Sequence, residues 1–170
     1  MSPLRIAAAA GAVVVALVLQ VSFFSHLAWD GIVPNLCLLV VVGAALTRGP
    51  QFAAVLGFAA GLALDLAPPA DHIAGRWALA LAVVGYVAGR VRREGRPTPG
   101  TVVATVAASS FVGTSVFALT GLILSDPALG IPDLLQTVVL SVIWDVVLTP
   151  FVLPPVMLMF RRLEPDRSLA

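Results

Sequence analysis

Between Ile6 and Phe24 the chain carries no charged side chain. Five further stretches are nearly as apolar: Ile32 to Thr47, Gln51 to Leu66, Ile73 to Gly89, Thr101 to Leu124 and Leu134 to Phe160. A helix needs roughly 20 apolar residues to cross a hydrocarbon core about 30 Å thick, and fewer where the bilayer thins. The runs therefore predict helices solvated by lipid. Composition points the same way, with 59% hydrophobic and 11% charged residues and a mean hydropathy of +1.02. Ordinary soluble domains are about half apolar and about a quarter charged, and a soluble chain like this one could not cover its own surface. The expectation is an all-α transmembrane protein, a bundle of about six helices forming one integral membrane domain over residues 1–170, with no room for an added soluble domain.

The second and third runs are short, and only Arg48, Gly49 and Pro50 separate them. They read as a tight helical hairpin or as a tilted, partly re-entrant pair. The sixth run holds Asp145, Pro150, Pro154 and Pro155. Proline lacks a backbone donor and clashes with the preceding turn, which predicts a kink near Pro150 or a helix that ends there. The first run is longer than the apolar core of a secretory signal, about 7 to 15 residues, and reads as a retained helix.

Arginine sets the orientation. With the N-terminus inside and six crossings, Arg5, Arg48, Arg90, Arg92, Arg93, Arg96, Arg161, Arg162 and Arg167 fall on the inner side and Arg76 outside. Asp30, Asp71, Asp126 and Asp133 fall in the outer loops. Enrichment of basic residues in cytoplasmic loops is the known determinant of topology, so both termini are expected in the cytoplasm. Arg90, Arg92, Arg93 and Arg96 make a basic patch that fixes topology and touches anionic headgroups, or docks a cytoplasmic partner.

Several residues are candidates for function. Asp145 lies mid-run, where an acid is costly and normally faces the bundle interior; it reads as a packing or partner contact, or as an ion site. Gly57, Gly61 and Asp65 recur every four residues on one helix face. Such glycines let a second backbone approach closely in lipid, either within this chain or from a partner. Asp65 would cap a neighbouring helix or line a small outer cavity. Gly85 and Gly89 repeat the spacing in the fourth run, as do Ala8, Ala12 and Ala16 in the first. His26 and His72 read as loop residues, and Trp29 and Trp77 as an interfacial aromatic belt. One cysteine, Cys37, and two histidines cannot build a metal cluster or an internal disulfide. No GxSxG elbow, HExxH pair or phosphate-binding glycine loop occurs. The chain reads as non-enzymatic, without a cofactor, and its net charge of +1 gives no pull toward nucleic acid.

In order and spacing, four stretches resemble the MreD family, the membrane subunit of the bacterial rod-shape machinery. They are Pro34-Asn35-Leu36, then Arg48-Gly49-Pro50 with Gly57-Phe58 and Gly61 to Leu66, then Leu81 to Arg90 with its Gly85-Tyr86, and last Asp145 to Pro150 leading into Phe160-Arg161-Arg162-Leu163. The resemblance implies a bacterial inner-membrane protein without catalytic activity. It implies action with an MreC-like protein, and through it with MreB, RodA and a class B penicillin-binding protein that build lateral peptidoglycan. Members are also thought to be similar to the substrate-binding S-component fold of energy-coupling-factor transporters, whose small-residue stripe the Ala8-Ala12-Ala16 face is similar to. A vitamin-transporter subunit is the alternative reading, with Trp29, Asp65, Asp71, His72 and Trp77 expected to converge on an outer pocket.

Overall fold

The computed structural model describes residues 3–68, 73–91, 97–124 and 131–162, for 131–133 the backbone only. Among these residues the chain forms six α-helices: α1 (Pro3–Ser22), α2 (Leu36–Arg48), α3 (Pro50–Leu66), α4 (Arg76–Val91), α5 (Pro99–Ile123) and α6 (Ile131–Arg162). A single 3-10 turn, Phe24–Leu27, follows α1. α1, α5 and the Leu134–Arg162 part of α6 are long and apolar enough to cross a membrane, and α2 and α3 are shorter apolar helices.

α2 is the centre of the bundle, with every residue from Leu36 to Thr47 buried. α1 turns Ala9, Val13, Ala16 and Gln20 inward. Gly43 of α2 receives the Val156 side chain of α6, and Gly113 of α5 receives Leu38 and Val84. α5 buries hydroxyl and small residues (Thr105, Ser109, Ser110, Gly113, Thr114) while Phe111, Leu119 and Leu122 point outward. That inside-out pattern needs an apolar solvent.

α3 and α4 form the closest pair. They run antiparallel, and glycines on both sides remove the bulk between them. A Cβ on Gly57 would strike the Leu81 carbonyl, on Gly61 that of Trp77, on Gly85 that of Ala53, and on Gly89 the backbone of Pro50. The four-residue spacing on each helix keeps all four glycines in one seam.

Three departures from the sequence expectation bear on the interior. The second run becomes helical only at Leu36, because Pro34 fixes its own φ and the Asn35 side chain accepts from Leu38 N and starts the helix there. The residues before it are not helical. The Asp30 carboxylate meets Gln136 of α6 at 2.8 Å, and Asn35 N meets Asp145 of α6 at 2.8 Å. Those two points on α6 are about 14 Å apart at 1.5 Å per residue. The segment Gly31–Pro34 thus descends alongside α6 into the bundle, and α2, about 20 Å long, continues from that depth. The fourth run starts its helix at Arg76 rather than Ile73, with Gly75 at φ +104 before it, a turn that glycine adopts at little cost. The sixth run stays one helix through Pro150, Pro154 and Pro155 to Arg162, which removes the reading in which it ends at Pro150. All three prolines are on the exposed face, so their rings do not interrupt the core.

Candidate functional site

Two helices begin inside the bundle, and each start is closed by a carboxylate from another helix. The first N–H groups of a helix have no partner within it, and lipid cannot supply one. Side chains must.

At the start of α2 three elements supply the acceptors. Asp145 Oδ1 of α6 accepts from Asn35 N at 2.8 Å. Gln20 Oε1 of α1 accepts from Leu36 N at 2.9 Å and, at 3.5 Å, from Cys37 N. Asn35 Oδ1 accepts from Leu38 N at 2.9 Å. Thr149 Oγ1 donates to the Asp145 carbonyl at 2.8 Å, one turn along α6. Asp145 and Ser110 are fully buried and Asn35 nearly so. The Ser110 hydroxyl sits beside the Asp145 carboxyl, yet neither Ser110 Oγ nor Asp145 Oδ2 completes a hydrogen bond of good geometry, and Asn35 Nδ2 and Trp144 Nε1 are likewise enclosed without one. The polar centre is therefore only partly satisfied.

At the start of α4 one side chain does most of the work. Asp65 accepts from Gly75 N at 2.8 Å, Trp77 N at 3.0 Å and Ala78 N at 3.1 Å. Of the two sequence readings for Asp65, the cap on a neighbouring helix is the one this geometry matches. Beside it Arg76, 3% exposed, crosses to α5. Its Nη2 and Nε donate to the Phe117 carbonyl at 2.8 and 3.3 Å. The guanidinium lies 4.0 Å from the Phe117 ring centre, and Trp77 stacks on that ring at 4.4 Å. Gly121 leaves the room, since a Cβ there would strike Arg76. Cation–π contact adds to the hydrogen bonds when both partners are desolvated.

Gly57, Gly61, Gly85 and Gly89 thus meet one another's helices within the chain, while Pro150 faces outward. Arg90 is exposed, with Nη1 3.4 Å from Tyr86 Oη, and Arg92, Arg93 and Arg96 lie outside the described residues. Along the Ala8-Ala12-Ala16 stripe, Ala16 is buried and Ala12 packs against the core, while Ala8 is half-buried. Of the residues expected at an outer pocket, Trp29 is 61% exposed, and Asp65 and Trp77 are engaged at the start of α4. Asp71 and His72 lie outside the described residues. Sequence reasoning passed over Gln20, Arg76 and Ser110. Gln20 had a signal, as the one strongly polar residue in the uncharged first run. So did the hydroxyl stripe of α5, spaced along one helix face.

The arrangement offers acceptors for backbone N–H groups and close helix contacts. Among the described residues no three His, Cys, Asp or Glu side chains gather as a metal site. No curated protein and no solved structure matches the chain. The family model for rod shape-determining protein MreD matches residues 5–163, a span that takes in all of α2 to α6, α1 from Arg5 onward, both capped starts and the glycine seam. The chain is a membrane protein and belongs to the MreD family of rod shape-determining proteins.

Proposed function

We propose that this chain is a non-catalytic inner-membrane subunit of the cell-wall elongation complex. It crosses the bilayer six times with both termini in the cytoplasm, and it scaffolds or regulates lateral peptidoglycan synthesis. The family match over residues 5–163 carries this reading. Two further features support it. Gln20 and Asp145 bind α1 and α6 to the start of α2, and Asp65 and Arg76 bind α3 and α5 to the start of α4, which suits a rigid scaffold. Arg5, Arg48, Arg90, Arg161 and Arg162 sit at one end of the bundle, as a cytoplasmic face requires.

The partners in this reading are an MreC-like protein and, through it, MreB, RodA and a class B penicillin-binding protein. Contacts would run through the outward faces of α1, α5 and α6, because the glycine seam of α3 and α4 is closed within the chain. The vitamin-transporter alternative has less behind it: Asp65 and Trp77, two of its pocket residues, are engaged at the start of α4. Crosslinking in native membranes tests the proposal. Recovery of an MreC-like protein or a penicillin-binding protein is the expected result. Recovery of ATPase subunits with a shared membrane coupling subunit would overturn it.

A further inference from the structure

α3 and α4 are short for a membrane crossing. α3 has 17 residues and α4 has 16, so at 1.5 Å per residue each is about 25 Å long. α5 has 25 residues and α6 has 32, or about 37 and 48 Å. A hydrocarbon core is about 30 Å thick. Both ends of the short pair are closed. At one end Gly89 packs on Gly49 and Pro50, and Gln51 and Arg90 are exposed there. At the other end Asp65 ties the last turn of α3 to the first N–H groups of α4. Beyond it the backbone of Ala67, Pro68 and Ile73–Gly75 is not helical. Bare N–H and C=O groups of that kind do not face lipid. Between these limits Val55, Phe58, Leu62, Leu79, Tyr86 and Val87 point outward. This apolar face is therefore about 5 Å shorter than the core it has to match.

We propose that the bilayer thins beside the α3–α4 face, which takes lipids with shorter acyl chains than the α6 face does. Tilting fits a long helix into a thin bilayer, but it only reduces the reach of a short one. The pair cannot slide apart to gain length, because the glycine seam and the Asp65 cap fix its register. Exposed Arg90 can snorkel to the surface, whereas the backbone at the Asp65 end has no side chain to extend. The lipid is the softer partner and gives way. The proposal rests on the six-crossing reading above and adds a lipid preference to one side of the bundle.

The test is lipid selection at two tryptophan reporters in the full chain. Trp29, Trp77 and Trp144 are replaced by phenylalanine, and one reporter is added, Phe58→Trp on α3 or Phe151→Trp on α6, both at exposed positions. Vesicles mix dimyristoleoyl- and dioleoyl-phosphatidylcholine with one of the two brominated, and quenching gives the share of each lipid beside the reporter. Phe58→Trp should favour the short-chain lipid about five-fold, the scale of a modest cost per ångström summed over about 5 Å. Phe151→Trp should show no such preference. Equal shares at both reporters, or long chains favoured at Phe58→Trp, overturn the proposal. So does a Phe58→Trp reporter that neither lipid quenches, since protein then covers the face. Native mass spectrometry of the unsubstituted chain released from nanodiscs of the same two lipids needs no variant. Enrichment of the short-chain lipid is expected, and its depletion overturns the proposal. Labelling of Gln51→Cys and Pro68→Cys with a charged thiol reagent checks the crossing separately. Access from opposite sides with equal lipid shares overturns the thinning alone, whereas access to both from one side overturns the crossing as well.

Discussion

Asp65 reaches from the end of α3 to the start of α4, and Asp145 reaches from the middle of α6 to the start of α2. Both are buried carboxylates that accept backbone N–H groups at a helix start. Asp65 takes three of them. Asp145 takes one, and α2 needs Gln20 and its own Asn35 for the rest. The difference follows from distance along the chain. Asp65 and its donors are 10 to 13 residues apart, so folding the α3–α4 hairpin delivers the cap. Asp145 and Asn35 are 110 residues apart, so their contact forms only when the last helix has docked. A local joint can depend on one residue, whereas a joint assembled from distant elements has its acceptors spread among them.

The hairpin side of this comparison is the easier to break. Gly61→Leu should have the largest effect of any change considered. Its side chain would enter the Trp77 backbone, which cannot yield as a flexible side chain would, and the cost should be about 3 kcal/mol or more. Loss of monodisperse protein from detergent extracts is the measurement. Full recovery with an unchanged unfolding midpoint would show that the α3–α4 seam is not a rigid unit. Asp65→Ala comes next. It leaves three N–H groups without their acceptor, each worth about 1 to 3 kcal/mol when buried unpaired, although hydrogen bonds inside membrane proteins average nearer 0.6 kcal/mol. A loss of about 2 to 4 kcal/mol in mixed-micelle unfolding is expected.

How far the sequence disclosed all this depends on the kind of signal. The α3–α4 seam was legible, because Gly57, Gly61 and Asp65 on one helix and Gly85 and Gly89 on another carry their meaning in their spacing. The six helices were legible from apolar length. The start of α2 was not. Pro34 and Asn35 look like the opening of a helix at any depth, and only the pairing of Asp30 with Gln136 and of Asn35 with Asp145 reveals the descent of the segment before it. Arg76 was also hidden. As the one outer arginine it read as a topological marker, whereas its cation is taken up by Phe117 and its space is made by Gly121, more than forty positions away. Neighbours that far apart in sequence leave no local pattern.

The α2 side should respond in smaller steps. Gln20→Leu removes the acceptor for Leu36 N and leaves Asn35 and Asp145 in place, so a loss of about 1 to 2 kcal/mol is expected. Gln20→Glu keeps an acceptor oxygen and should recover the hydrogen bond, at the cost of a charge in lipid. If Gln20→Leu is as damaging as Asp65→Ala, the acceptors at α2 are not shared as the geometry implies.

Asp145→Asn is the sharpest test and the smallest expected effect. The amide oxygen can still accept from Asn35 N, and the new NH2 faces the side where Asp145 Oδ2 has no partner and the Ser110 hydroxyl can accept. One hydrogen bond is kept, one is offered, and a buried carboxyl is replaced by a neutral group. A carboxyl buried without a cation is costly when ionised, so a neutral amide of the same shape should lose little. The unfolding free energy should therefore move by less than about 1 kcal/mol, while Asp65→Asn, which puts an NH2 where backbone donors already converge, should lose more. Should Asp145→Asn prove as costly as Asp65→Ala, Asp145 would be acting through its charge and not through one accepted N–H. The two aspartates would then have to be compared as charges instead of as caps.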